Sequence, residues 1–151
     1  MIDWSILTGG FDNSYGLLLF SELVANNSQW LPATPAAALP TGAVAHATKD
    51  AEGRLKVLLV AKDLEESAAT ATVTIAFEGT HKKTAQIVRL SAPGPKAKKD
   101  IKLAGQTFDG TTDGTPRGHR TVEAVTGKVQ GGKTVFEVKL PPLSAAMLVV
   151  G

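Results

Sequence analysis

Apolar residues change their spacing near position 43, and that change divides the chain. Before it, Leu19, Phe20, Leu23 and Val24 recur at helical intervals, and Leu17 and Leu18 widen the greasy surface around the cylinder. Asp12, Asn13 and Ser14 offer an N-cap and Asn26-Asn27 suit a helix end, so the spacing predicts a helix over 15–25. Pro32 to Pro40, rich in proline and alanine, reads as a linker or an extended crossing. After position 43 the pattern is that of strands. Leu55 to Ala61 is apolar on both faces, as in a central strand, and the Asp50 to Gly53 turn joins it to a shorter strand near Ala43 to Thr48. Val73, Ile75 and Phe77 alternate with threonines and alanine. Thr84 to Leu90 is a further strand whose doubled Ile87-Val88 suggests a bulge. His119 to Val129 and Thr134 to Leu140 flank Gly131-Gly132 as a hairpin, with Phe136, Val138 and Leu140 on the buried side. Ala145 to Val150 closes the chain as a buried strand. The expected fold is all-β, an antiparallel β-sandwich of about eight strands with one N-terminal helix. Residues 1–42 would hold the helix and linker, and residues 43–151 the sandwich.

A length of 151 residues with 43% hydrophobic positions fits one packed domain. The formal net charge of +2 is too small to call for nucleic acid or an anionic membrane, so no nucleic-acid partner is expected. The absence of cysteine excludes disulfides, thiolate metal sites and cysteine nucleophiles. Met1 to Gly10 lacks a basic region followed by an apolar block, so no signal peptide is expected and the compartment stays open. The most apolar run, Tyr15 to Phe20, is far short of the roughly 20 residues that span a bilayer, so no membrane span is expected either.

Several segments together resemble one family. Residues 15–32, YGLLLFSELVANNSQWLP, are similar to the last helix of a (β/α)8 barrel and its exit in glycoside hydrolase family 79, the family of heparanases and β-glucuronidases. Residues 54–63, RLKVLLVAKD, resemble the family's strand that runs into Asn-Lys-Asp. Residues 87–109, IVRLSAPGPKAKKDIKLAGQTFD, resemble the passage of its C-terminal domain that reads Leu-Gly-Gly and then Phe-Asp, and the closing LPPLSAAMLVV resembles its last strand. The resemblance implies the C-terminal β-sandwich of such an enzyme. Its helix would dock on a catalytic barrel through Tyr15, Leu19, Phe20, Leu23, Val24 and Trp30. Standing alone, the helix would need other cover, on its own sandwich or in a homodimer. The barrel and its acid/base and nucleophile glutamates are missing from these residues, so no catalytic residue carries over and no activity of the chain by itself is expected. A retaining glycosidase needs two carboxyl groups about 5–5.5 Å apart on rigid strand ends. The glutamates here scatter over helix, turns and alternating strand faces. The leading expectation is therefore a non-catalytic accessory domain that supports or docks on a barrel. A split β-glucuronidase-like enzyme, with the barrel on another chain, is an alternative.

A second alternative is a module for acidic glycans. Between Thr80 and Gly105 stand seven basic residues against Asp100 alone, a local charge of +6. Lys82, Lys83, Lys96, Lys98, Lys99 and Lys102 are the candidate anion-binding residues. Against that use, lysine is a mobile point charge and often serves only to keep edge strands soluble. Sugar stacking needs exposed aromatics, and beyond Ala43 only Phe77, Phe108 and Phe136 remain. Residues 109–118, DGTTDGTPRG, lack the third carboxylate and distal glutamate of a calcium loop and read as turns. His46, His81 and His119 are scattered, so neither a metal nor a cofactor is expected.

Overall fold

The computed structural model describes residues 14–34, 39, 43–61, 69–79 and 81–151. The expected cap residues Asp12 and Asn13, much of the proline-rich linker, and Glu65-Glu66 lie outside them. Helix α1 runs Ser14–Val24. Ten strands follow: β1 Gln29–Leu31, β2 Val44–Lys49, β3 Leu55–Val60, β4 Ala71–Glu78, β5 Thr84–Ser91, β6 Lys102–Leu103, β7 Glu123–Thr126, β8 Lys128–Gln130, β9 Lys133–Leu140 and β10 Ser144–Val150. Sheet A has the order β1-β2-β3-β10-β5-β6, with β7 also on β5; sheet B has the order β4-β9-β8. All the strand pairs are antiparallel. The short strands β1 and β6 escaped the sequence pattern because two or three residues carry no periodicity.

Sheet A is the middle layer of three, which explains its composition. Every residue of β3 is buried. Val57 and Leu59 face sheet B together with Ile87 and Leu148, and close on Val73, Phe136, Val138 and Leu140. Leu58 and Val60 turn the other way with Val88, Leu90 and Met147, and meet Tyr15, Leu19 and Leu23 of α1. A strand buried on both faces loses the period-two pattern and reads as a continuous apolar run. The doubled Ile87-Val88 has this origin. The bulge expected there is replaced by an unbroken register, Ile87 opposite Leu148 and Val88 opposite Met147, with one residue serving each face.

The segment expected as one strand from His119 to Val129 is two. Glu123–Thr126 pairs with β5 in sheet A, and Lys128–Gln130 pairs with β9 in sheet B. The chain changes sheets at Gly127, directly over the buried ring of Phe136. A Cβ built on Gly127 would lie 2.7 Å from the Phe136 ring, closer than such carbons approach. Gly127→Ala is thus expected to destabilise the domain by about 1–3 kcal/mol, as overpacking does, which urea unfolding would measure. The hairpin at Gly131-Gly132 forms as expected, with φ of 58° and 74° at the two glycines and Gln130 opposite Lys133. The helix ends at Asn26 and Asn27, with φ of 61° and 52°, a left-handed conformation that asparagine tolerates better than most residues.

Candidate docking site

An isolated helix of eleven residues is marginal in water, so α1 depends on what it packs against. At its N-terminal end the Tyr15 ring meets Phe108 edge-on at 5.2 Å. The Tyr15 hydroxyl accepts the Phe108 N–H at 2.7 Å and lies 3.2 Å from Thr107 Oγ1. On the third turn Glu22 pairs with Arg120 at 2.8 Å. The C-terminal carbonyls, which no helical amide can satisfy, are taken by the sheet. Thr48 Oγ1 donates to Leu23 O at 2.8 Å, and Lys56 Nζ donates to Glu22 O at 2.8 Å and Ala25 O at 3.4 Å.

Lys56 is the lone charged residue of β3 and is itself buried. Its ammonium sits on the negative end of the helix dipole and 3.7 Å from Asp50, whose side chain is fully enclosed. One Asp50 oxygen accepts the amides of Glu52 and Arg54 at 3.0 and 2.9 Å; the other accepts Arg54 Nε at 2.8 Å. Burial pushes the Asp50 carboxyl up, but hydrogen bonds from the Arg54 amide and guanidinium, the Arg54 charge and the Glu52 amide outweigh it and hold the group below its ordinary value. This latch between turn, strand and helix end was missed at the sequence level. A lysine inside the otherwise apolar LKVLLV was the available signal.

The expected docking stripe is therefore divided. Tyr15, Leu19 and Leu23 are almost wholly buried in the core that α1 shares with sheet A, so this chain consumes them itself. Phe20 and Val24 are half-buried. Trp30 stays 56% exposed, its ring 6.4 Å from Phe20 and 6.1 Å from His46. The outward helix face is instead Leu17, 58% exposed, and Leu18, 39% exposed. With Ser21 they border an open trough whose other wall is Phe108, Thr111 and Thr112.

The six lysines of the basic segment do not come together. Lys82 and Lys83 precede the start of β5, while Lys96, Lys98, Lys99 and Lys102 follow its end. An eight-residue strand, roughly 25 Å long, separates the two groups. All six are exposed. Among the described glutamates, Glu22, Glu52, Glu78 and Glu123 are each in an ion pair, with Arg120, Arg54, Lys133 and Arg89 respectively. Glu137 points outward from β9. Asp113 accepts the Thr115 amide, as a turn residue does, and Asp109 accepts the Asp100 amide nine residues back. Among the described residues no three His, Asp or Glu side chains gather as metal ligands. No described helix is long and apolar enough to cross a membrane.

The chain matches the glycosyl hydrolase family 79 C-terminal beta domain over residues 45–147, and it belongs to that family. No curated protein sequence is significantly similar to it. Among solved structures it is similar to a 4-O-α-L-rhamnosyl-β-D-glucuronidase from Fusarium oxysporum, with 24% identity and a TM-score of 0.64 over 90% of this chain. It is also similar to the family 51 arabinofuranosidase from Xanthomonas axonopodis pv. citri, with 20% identity and a TM-score of 0.56 over 92% of this chain. A family 30 endoxylanase from Clostridium papyrosolvens follows at 13% identity and a TM-score of 0.54, again over 92% of this chain. The matched regions make up 29%, 26% and 27% of those three chains.

Proposed function

We propose that this chain is a non-catalytic accessory β domain that seats on the barrel of a family 79 glycoside hydrolase. Its part is to hold that barrel rather than to supply reacting groups. The observation that carries the reading is an apolar surface left outward on α1 after its own core is filled. Leu17 and Leu18, with Trp30 on the same side of sheet A, stay exposed although Tyr15, Leu19 and Leu23 beside them are enclosed. Exposed apolar groups clustered on one face mark contact surfaces. The seating residues are then Leu17, Leu18, Phe20 and Trp30, and the barrel belongs to the same enzyme, on one chain with this domain or on another. The separation of the two lysine groups gives no comparable support to an acidic-glycan site.

The domain, added as a separate chain to the barrel of its enzyme, is expected to raise the barrel's Tm by several degrees through mass action. Leu17→Asp with Leu18→Asp should abolish that rise and leave the domain's own stability within about 0.5 kcal/mol of wild type, as for most surface changes. A rise that survives the double substitution, or no rise with the wild-type domain, would sink the reading.

A further inference from the structure

The sequence holds two Asp-Gly pairs, Asp109-Gly110 and Asp113-Gly114, and the fold treats them differently. Both lie on one excursion of the chain between β6 and β7. At its base the Thr121 N–H donates to Ala104 O at 2.7 Å. Farther out, Thr107 and Arg117 each donate an amide to the other's carbonyl, at 3.0 and 2.7 Å. Residues 108–116 form the tip beyond that second clasp. An aspartate before a glycine sets an electrophilic carboxyl carbon beside an unhindered nitrogen, because glycine has no Cβ to crowd the approach. Whether the two meet depends on what else holds the carboxyl and the turn around it.

Asp109 is held. Its Oδ2 accepts the Asp100 N–H at 2.7 Å, and its own N–H donates to Thr107 Oγ1 at 3.1 Å. The turn around it is closed twice, since the Thr111 N–H and hydroxyl both donate to Phe108 O, at 3.0 and 2.8 Å. Swinging the carboxyl carbon onto the Gly110 nitrogen would strip the Asp100 amide of its partner and work against that closed turn. Asp113 has no such restraints. It and Gly114 are exposed, and the Gly114 N–H has no partner among the described residues. A Cβ built on Gly114 would meet nothing within 4 Å, so a ring has room to close there. The Asp113 side chain makes one bond among the described residues, from the Thr115 N–H to Oδ1 at 2.9 Å. That bond folds the carboxyl back over the Gly114 peptide in an Asx turn. It also sets a donor on the oxygen where negative charge gathers when the carboxyl carbon is attacked, the placement that lowers such barriers.

We infer that Asp113-Gly114 is a site of spontaneous backbone isomerisation, and that the fold directs this change to Asp113 rather than Asp109. The Gly114 nitrogen attacks Cγ of the protonated Asp113 carboxyl. A C–N bond forms, and one carboxyl oxygen leaves as water with the carboxyl proton and the amide proton, closing a succinimide ring. Water then adds to one of the two ring carbonyls, and the C–N bond at that carbonyl breaks. Opening at the former side-chain carbonyl restores aspartate. Opening at the main-chain carbonyl leaves the chain running through Cβ, an isoaspartate of unchanged mass. Water is the only co-reactant, so the step needs no enzyme, metal or oxidant. The product carries an extra methylene in the main chain before Gly114, which borders the trough beside Leu17 and Leu18. The clasp between Thr107 and Arg117 confines the change to the tip. The chemistry requires no partner chain, and so the inference stands apart from the barrel-docking reading.

The test keeps the purified chain for weeks at 37 °C and neutral pH. It is then digested with a protease that cuts before aspartate but not before isoaspartate, and the peptides are separated by liquid chromatography with mass detection. Isoaspartate is expected at position 113 at about tenfold or more its level at position 109, as a difference in positioning of the reacting atoms gives. A minor species one water lighter, the closed ring, should map to the same peptide. In the urea-unfolded chain the two pairs should react alike, since the fold alone distinguishes them. A second readout carries a change of mass. Asp113→Asn loses ammonia through the same ring and should gain one mass unit faster than Asp109→Asn, whose side-chain oxygen still accepts the Asp100 amide. The inference is overturned if Asp113 stays intact in the folded chain, or if both positions isomerise equally there. It is equally overturned if the preference for position 113 persists unchanged in urea, or if the two asparagine variants react at the same rate.

Discussion

Replacing Leu19 and Leu23 together by aspartate is expected to abolish folding. Both side chains are fully enclosed between α1 and sheet A, against Leu58, Val88 and Met147. Truncating one buried leucine costs about 2–5 kcal/mol through lost burial and the cavity left behind. A carboxylate in the same place adds a desolvation penalty, since nothing apolar there can pair with it. Two such changes meet or exceed the roughly 5–15 kcal/mol that hold a domain together. The measurement is circular dichroism with thermal melting: wild type should melt cooperatively, and the double variant should show no transition. A folded, helical double variant would mean that α1 is an appendage of the sandwich, and the shared core described above would be wrong. Comparison with Leu17→Asp and Leu18→Asp sharpens the point, because those neighbours face outward and their substitution should leave the melt nearly unchanged. One helix thus presents two faces with opposite sensitivities.

That contrast also measures what could be read from the chain. The stripe Leu19, Phe20, Leu23 and Val24 identifies a helix and its greasy side, but helical spacing alone does not say which neighbour will cover that side. The resemblance to a barrel's last helix assigned the stripe to a partner; the sheet of the same chain occupies much of it. Strands were legible where one face is buried and the other wet, as in β4 and β9, whose alternation fixes both type and orientation. Where both faces are covered, the alternation disappears. The Ile87-Val88 pair then looks like a defect, although it belongs to a regular strand in a middle layer. The break at Gly127 was hidden for a similar reason. Residues on either side of it are good strand formers, and the ring of Phe136, which leaves no room for a Cβ at the point where the chain changes sheets, lies nine positions away in the sequence. The split of the basic segment follows from the strand expected over Thr84 to Leu90, which runs through the middle of it, but charge counted along a sequence ignores that separation.

The Asp50–Lys56 latch leads to the second large effect, in which the two partners are unequal. Lys56→Met keeps the length of the side chain and removes a buried charge. It forfeits the hydrogen bonds to Glu22 O and Ala25 O, but Asp50 retains Arg54 and two backbone amides. The expected loss is about 1–3 kcal/mol. Asp50→Asn leaves the Lys56 ammonium buried with carbonyls alone and weakens the turn that precedes β3, an expected loss of about 3–5 kcal/mol. In the double variant no uncompensated charge remains, so the total should fall short of the sum of the two single losses, by an amount a double-mutant cycle reads directly. Acid should act through the same carboxyl. The Asp50 pKa is lowered in the folded chain from an ordinary value of 3.8. Its contribution is therefore complete above the unfolded pKa and is lost as pH falls through the lower folded one. Urea unfolding of wild type should show stability that declines from about pH 5 downward, and Asp50→Asn should flatten that decline relative to wild type. Parallel curves for the two proteins would show that Asp50 does not carry the acid dependence. A cycle with no coupling between positions 50 and 56 would show that the 3.7 Å approach of Lys56 to Asp50 does not tie the helix end to the turn.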